Sequence, residues 1–172
     1  LVDLLNVYFT AMVREVESSG GMVDKFVGNA LMAVFDHSDQ EDHAETVVQA
    51  ALAMLAQCEH INATRRLEGD FALHNFVGIH CGPVVAGNIG SPERMEYTCI
   101  GDTVNVAARL EKATRTVDTR IMISMRFRQR LTSSRDLFVP DRDVSLPGRQ
   151  EPVQVAVLKQ EAGDTGLASS PA

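Results

Sequence analysis

Met95-Glu96-Tyr97-Thr98-Cys99-Ile100-Gly101-Asp102-Thr103-Val104-Asn105-Val106-Ala107-Ala108-Arg109-Leu110 changes character at its middle, and that change decides how the chain folds. Met95 to Ile100 carries an aromatic and β-branched residues, which favour extended backbone. Gly101 interrupts it. Asp102 and Thr103 are both suitable N-caps, and Val104, Ala107, Ala108 and Leu110 then recur at helical spacing. The segment predicts a strand, a break and a helix. On that helix Asn105 and Arg109 form an i,i+4 pair, on one face and about one turn apart. An amide and a guanidinium so stacked can hold a ribose oxygen and a phosphate, because Arg presents a fork of donors suited to phosphate. The same spacing is also common on ordinary solvated helix faces.

Upstream, Leu1, Leu4, Leu5, Tyr8, Met12 and Val16 repeat at helical spacing, and Gly20-Gly21 supplies a stop. No cap precedes Leu1, so the helix is expected to begin before the sequence does. Met22 to Val27 and Ala30 to Phe35 read as two strands turning at Gly28-Asn29, a dipeptide suited to hairpins. Ser38-Asp39-Gln40-Glu41 forms a capping box. The helix it opens buries Ala44, Val47, Val48, Ala51, Leu52 and Leu55 and runs on towards Ile61. The polar run Asn62 to Asp70 reads as a connector. Phe71 to Gly82 reads as a strand, with Gly82-Pro83 and Gly87 marking turns or bulges.

Downstream, Ile121 to Ser124 is a short buried strand candidate, and Met125 to Leu131 one or two helical turns. Leu137 to Val144 and Val153 to Leu158 read as closing strands around a Pro147-Gly148 turn. Residues 1–160 form one domain, and 161–172, small and polar, read as a disordered tail. Helices alternating with hairpins imply a two-layer α+β domain with a largely antiparallel sheet.

Bulk properties narrow the function. A chain of 172 residues with 45% hydrophobic content can fill one core. A net charge of −7 argues against a nucleic-acid surface, which needs a basic face. With only 5% aromatic residues, a sheet that stacks RNA bases is also disfavoured. Cys58, Cys81 and Cys99 lack paired spacing and read as thiols in a reducing compartment. No apolar run approaches the ~20 residues needed to span a bilayer. The five histidines lack metal-ligand spacing; His37 and His43 flank the capping box and His80 lies in a strand.

Tyr97 to Glu111 resembles the signature of class III adenylate and guanylate cyclase catalytic domains. Three further segments agree in the family's order: Leu4 to Phe9, Gly20 to Phe35 and Gly78 to Gly90. The resemblance covers roughly residues 1 to 158, and four ordered motifs are far more specific than one. It implies a ferredoxin-like βαββαβ core with added strands, whose first strand should precede the first helix and is missing here. It also implies conversion of ATP to 3′,5′-cyclic AMP and pyrophosphate, at a composite site between two domains of a homodimer or heterodimer. A cytoplasmic location follows, as the soluble part of a longer, membrane-attached or multidomain protein.

Residue by residue, Asn105 matches the family's ribose-positioning Asn, and Arg109 the Arg that meets charge developing at the α-phosphate. Lys25 and Thr98 match the two purine-reading positions. Guanylate cyclases carry an acidic residue and a Cys there; Cys99 sits one place late, so the pattern favours adenine. Arg149, after Pro147-Gly148, stands near a basic position that reaches the polyphosphate. The family uses two Mg²⁺ or Mn²⁺ ions. Its first metal-binding Asp lies on the missing strand, and its second falls at Asn29. An Asn brings no charge to a hard cation, and losing a carboxylate ~4 Å away forfeits on the order of 4 kcal/mol at an effective dielectric near 20. Asn29 also suits a hairpin position at positive φ. Asp24 is offset from Asn29 by an odd number of residues, so in a regular strand it faces the other way. The expected function is an adenylate-type cyclase domain, weak or inactive alone. Its rival is a silent cyclase-like module that pairs with or regulates an intact one.

Overall fold

The structure, a computed structural model, describes residues 2–36, 43–141, 143–145 and 152–159. The capping box at Ser38 to Glu41, the Pro147-Gly148 turn, Arg149 and the tail from 161 lie outside the described residues. In chain order come α1 (Val2–Ser18), the hairpin β1 (Met22–Val27) and β2 (Ala30–Val34), then α2 (His43–Leu67). β3 (Val77–Ile79) leads to a second hairpin, β4 (Val85–Ser91) and β5 (Arg94–Ile100), and to α3 (Asp102–Thr114). β6 (Ile121–Ser124), α4 (Met125–Arg128), β7 (Phe138–Pro140) and β8 (Val155–Leu158) close the fold. The result is the expected α+β domain, and of the strand pairings among the described residues only β3–β6 is parallel.

The core is built around the four-stranded sheet β3-β6-β8-β7. Successive side chains on a strand point to opposite faces. Accordingly Ile121 and Ile123 join Ala44, Val48 and Ala51 of α2, with Phe127, Leu131 and Phe138, in one cluster. Met122 joins Val106 and Leu110 of α3, with Val155, in another. All four residues of β6 are buried, which is why it reads as a continuous apolar run. Each such side chain contributes about 1.5–3 kcal/mol on burial, so α3 is held mainly by Val106 and Leu110. Gly78 of β3 lets it approach closely: a Cβ there would overlap the Glu111 nitrogen and the Ala107 carbonyl oxygen.

Three stretches depart from the sequence reading. α2 continues to Leu67, so Asn62 to Leu67 is helix, not connector. Asn62 and Arg65 are buried yet satisfied by the returning chain: Asn62 exchanges two hydrogen bonds with Leu73, of 2.7 and 2.8 Å. Arg65 donates to the Phe71 carbonyl at 2.9 Å and lies 3.3 Å from Asp70. These bonds engage the backbone of Phe71 and Leu73 with side chains, and only Val77–Ile79 of the expected 71–82 strand is a strand. β4 was not expected at all; rich in glycine and mostly exposed, it shows no alternation.

The third departure is at the α3 N-terminus. Neither Asp102 nor Thr103 caps the helix: Gly101, at φ 146°, is the N-cap residue, without a side-chain cap bond. The Thr103 hydroxyl instead donates to the Pro83 carbonyl at 2.7 Å. Elsewhere Glu45 of α2 latches the loop after α4, accepting from the Thr132 amide at 2.6 Å, the Ser134 amide and the Ser134 hydroxyl.

Candidate active site

A bulge in β1 creates the site. Met22 pairs with Val34 and Val23 with Ala33, but Lys25 pairs with Met32, so Asp24 is the extra residue. A bulge re-aims its side chain. The Asp24 side chain is fully buried. Its Oδ2 accepts the Thr98 hydroxyl at 2.7 Å and its Oδ1 the Cys99 amide at 3.1 Å. The Lys25 ammonium lies 3.5 Å from the same Oδ2. One carboxylate therefore joins two hairpins that share no backbone ladder, and it holds Lys25 and Thr98 together. Both line a cleft with Asp24, Phe26, Glu96 and Tyr97.

Sequence reasoning paired Lys25 with Thr98 but weighed Asp24 only as a metal ligand, and so missed this link. The missed signal was an Asp next to Lys25 in a strand run whose other residues are apolar. Cys99 does not line the cleft and is buried. Burial, then the Asp24 and Asp36 carboxylates, push its thiol pKa up, so it stays a protonated, inert group. Cys58, Cys81 and Cys99 are all free thiols. His80 is satisfied, its Nδ1 2.8 Å from the Ser124 hydroxyl.

On α3 Asn105 is exposed and Arg109 half-buried, on the face next to buried Val106 and Leu110. Arg109 makes no ion pair with another described residue, so its guanidinium is available to an anion. Asn29 is exposed at the β1–β2 turn. The left-handed backbone there belongs to Gly28, at φ 62°; among the described residues Asp118 is the only non-glycine with positive φ. The hairpin therefore does not require Asn at 29. Nor do the described residues fit a divalent ion: no three His, Cys, Asp or Glu side chains cluster, and Asp24 is committed to Thr98 and Cys99.

The sequence pattern of the family described as "Adenylate and Guanylate cyclase catalytic domain" matches residues 1–159. The chain belongs to this family. Among its curated relatives, a terminal-differentiation-specific adenylate cyclase of Dictyostelium discoideum is 32% identical over 157 residues, 90% of this chain. Among solved structures, the adenylyl cyclase CyaB of P. aeruginosa is 29% identical, with a TM-score of 0.80 over 96% of this chain and 85% of that one. The guanylyl cyclase Cya2 is also 29% identical, with a TM-score of 0.78 over 97% of this chain and 85% of that one. Overall identity thus does not separate adenine from guanine; the cyclase site must. The chain spans 7% of the Dictyostelium relative and 31% of an adenylate cyclase of Anabaena cylindrica. Among the described residues, no helix is long and apolar enough to cross a membrane.

Proposed function

We propose that this cyclase domain is of the adenylate type and supplies the nucleotide-recognising half of a site shared with a second cyclase domain. There ATP would be converted to 3′,5′-cyclic AMP and pyrophosphate. The observation that carries the reading is the shared cleft of Lys25 and Thr98, two polar groups anchored on one carboxylate. Lys25 would donate to a ring nitrogen of adenine, and Thr98 would lie beside the exocyclic amine. Asn105 would orient the ribose. Its 3′ oxygen attacks the α-phosphorus as the bond to pyrophosphate breaks, and Arg109 would meet the charge growing on the α-phosphoryl oxygens. Arg149 is retained as a further polyphosphate contact.

A second domain is part of the proposal. Among the described residues the β4–β5 ribbon pairs with no other strand, and Val85, Ile89, Met95, Tyr97 and Ile100 are exposed on it. Two-stranded ribbons are marginal alone, and clustered exposed apolar groups mark contact surfaces. A two-fold pairing with itself or with another cyclase domain would cover them. Light scattering at high concentration should show a dimer; a monomer with and without nucleotide would count against this.

A second reading has its own support. With Asn29 at the metal position and no carboxylate cluster among the described residues, the domain would bind nucleotide without turning it over, and would complete or regulate an intact partner. Cyclic AMP production with Mg²⁺ or Mn²⁺ present, measured alone and with an intact cyclase domain, separates the two. Little or none is expected alone. Turnover comparable to an intact cyclase would overturn the account of Asn29.

A further inference from the structure

The Thr98 hydroxyl alone does not say which purine it reads, because a hydroxyl can donate or accept. What decides its sense is whatever already holds its proton. In this structure the Thr98 hydroxyl donates to Asp24 Oδ2 at 2.7 Å, and an acceptor-only carboxylate allows no other direction. Only the lone pairs of Thr98 then remain for a ligand. The backbone amide of Cys99, donating to Oδ1 at 3.1 Å, pins the carboxylate in place. With a side chain that is fully buried, Asp24 does not reach the ligand by itself.

We propose that Asp24 is a positioning residue that sets the hydrogen-bonding sense of Thr98 and thereby selects adenine over guanine. This rests on the base-reading role proposed above for Lys25 and Thr98. The cleft then presents one donor, the Lys25 ammonium, beside one acceptor, the Thr98 oxygen. Adenine offers the complement: an acceptor ring nitrogen next to a donor amine. Guanine in the same pose offers the reverse, an N–H facing the ammonium and a carbonyl oxygen facing the Thr98 lone pairs. Both contacts become repulsive or unpaired. Lys25 shares the arrangement, because its ammonium is 3.5 Å from the oxygen that holds Thr98, so the two readers are fixed against a single atom.

Asp24→Asn tests the inference without changing shape. A backbone N–H cannot rotate, so the new carbonyl must face Cys99 and the new amine must face Thr98. The hydroxyl then accepts from that amine and turns its proton towards the ligand. Equilibrium binding of ATP and of GTP should show the ATP preference falling about tenfold or more, the scale of one mispaired hydrogen bond. Thr98→Ser should retain the preference and Thr98→Val should lower it. In the Thr98→Val background, Asp24→Asn should change the ratio less than it does in the unaltered protein, because only its ion pair with Lys25 then links it to the base.

An unchanged ratio in Asp24→Asn, with Thr98→Val still lowering it, overturns the positioning role and leaves the base reading intact. An unchanged ratio in Thr98→Val, or binding of neither nucleotide by the unaltered protein, removes the base reading and this proposal with it. Should Asp24→Asn fail to fold, the unaltered protein carries the test. Its Thr98 hydroxyl proton should be visible by NMR in slow exchange, with and without ATP. A proton that passes to the ligand on binding overturns the proposal.

Discussion

Replacing Gly78 by Ala should loosen the one helix that carries both Asn105 and Arg109. The added Cβ would overlap the Glu111 nitrogen and the Ala107 carbonyl oxygen, which are backbone atoms and cannot swing aside like the end of a side chain. Either α3 lifts or β3 shifts. Overpacking of this kind costs about 1–3 kcal/mol, and with backbone on both sides the upper end applies. Opposing it, Gly→Ala restricts the unfolded chain and stabilises by about 0.4–1 kcal/mol. The steric cost wins, leaving a net loss of about 2 kcal/mol. For a chain of this length that lowers the melting temperature by about 4–8 °C. Gly87→Ala is the control, because nothing lies within 4 Å of its added Cβ; it should melt at or slightly above the parent. Calorimetry of the three proteins, with ATP titration, measures both effects, and Gly78→Ala should also bind ATP more weakly. If Gly78→Ala melted like Gly87→Ala, the close approach of α3 to β3 would be wrong, and with it the placement of Asn105 and Arg109.

Glu45 sets a pH dependence. Burial raises its pKa, but hydrogen bonds from Ser134 and Thr132 outweigh that and lower it from 4.5 to about 2. A lowered carboxylate pKa gives stability present above pH ~4.5 and lost as pH falls towards ~2. The carboxylate is partly exposed, so screening limits this to about 1 kcal/mol; Glu45→Gln should cost that at pH 7 and nothing near pH 2, read from denaturation midpoints at each pH. Arg109→Ala should weaken ATP about 10-fold or more in a binding titration and leave adenosine unaffected, as expected for a charge-assisted phosphate contact; equal losses for both would place Arg109 elsewhere. Asn29→Asp should leave the melting temperature within about 2 °C, since the site is exposed and needs no special backbone. With no second carboxylate beside it, the variant should also leave the chain's own cyclic AMP output unchanged; a large rise in an Mn²⁺ assay would contradict the poor fit for metal.

The parts of the fold that the sequence showed are those where one local rule decides the outcome. β6 is buried on both faces, so Ile121-Met122-Ile123 could be read without its neighbours. The β1–β2 hairpin follows from Gly28 at its turn. Legibility failed where a side chain's partner is distant in sequence. Asn62 and Arg65 look like loop residues until the returning chain at 70–73 satisfies them. The site shows the same division. Lys25 and Thr98 could be paired by motif, but the Asp24 contact spans 74 residues and needs a bulge that alternation does not predict. Period-two reasoning turned Asp24 away from Asn29, and the structure does aim it elsewhere, towards β5. The bulge, not regular alternation, places it there.

Charge explains why recognition and turnover can separate in such a domain. The Lys25 ammonium is offset by Asp24, so the proposed base-reading pair is close to neutral and would discriminate by hydrogen-bond sense. In the proposed site Arg109 is the cation placed on the triphosphate, with Arg149 a further contact, in a chain whose net charge is −7. One half-buried guanidinium ~4 Å from a phosphate gains on the order of 4 kcal/mol at an effective dielectric near 20, and less in water. Cyclisation concentrates further negative charge on the departing pyrophosphate. The described residues offer no carboxylate cluster to bring divalent ions to it. In the proposed reading the remaining neutralisation comes from the opposing domain. A half-enzyme and a silent partner would therefore present the same base cleft and the same face of α3. They differ in what the opposing domain brings to the phosphates, which is why the assay with an intact cyclase domain, not binding alone, divides them.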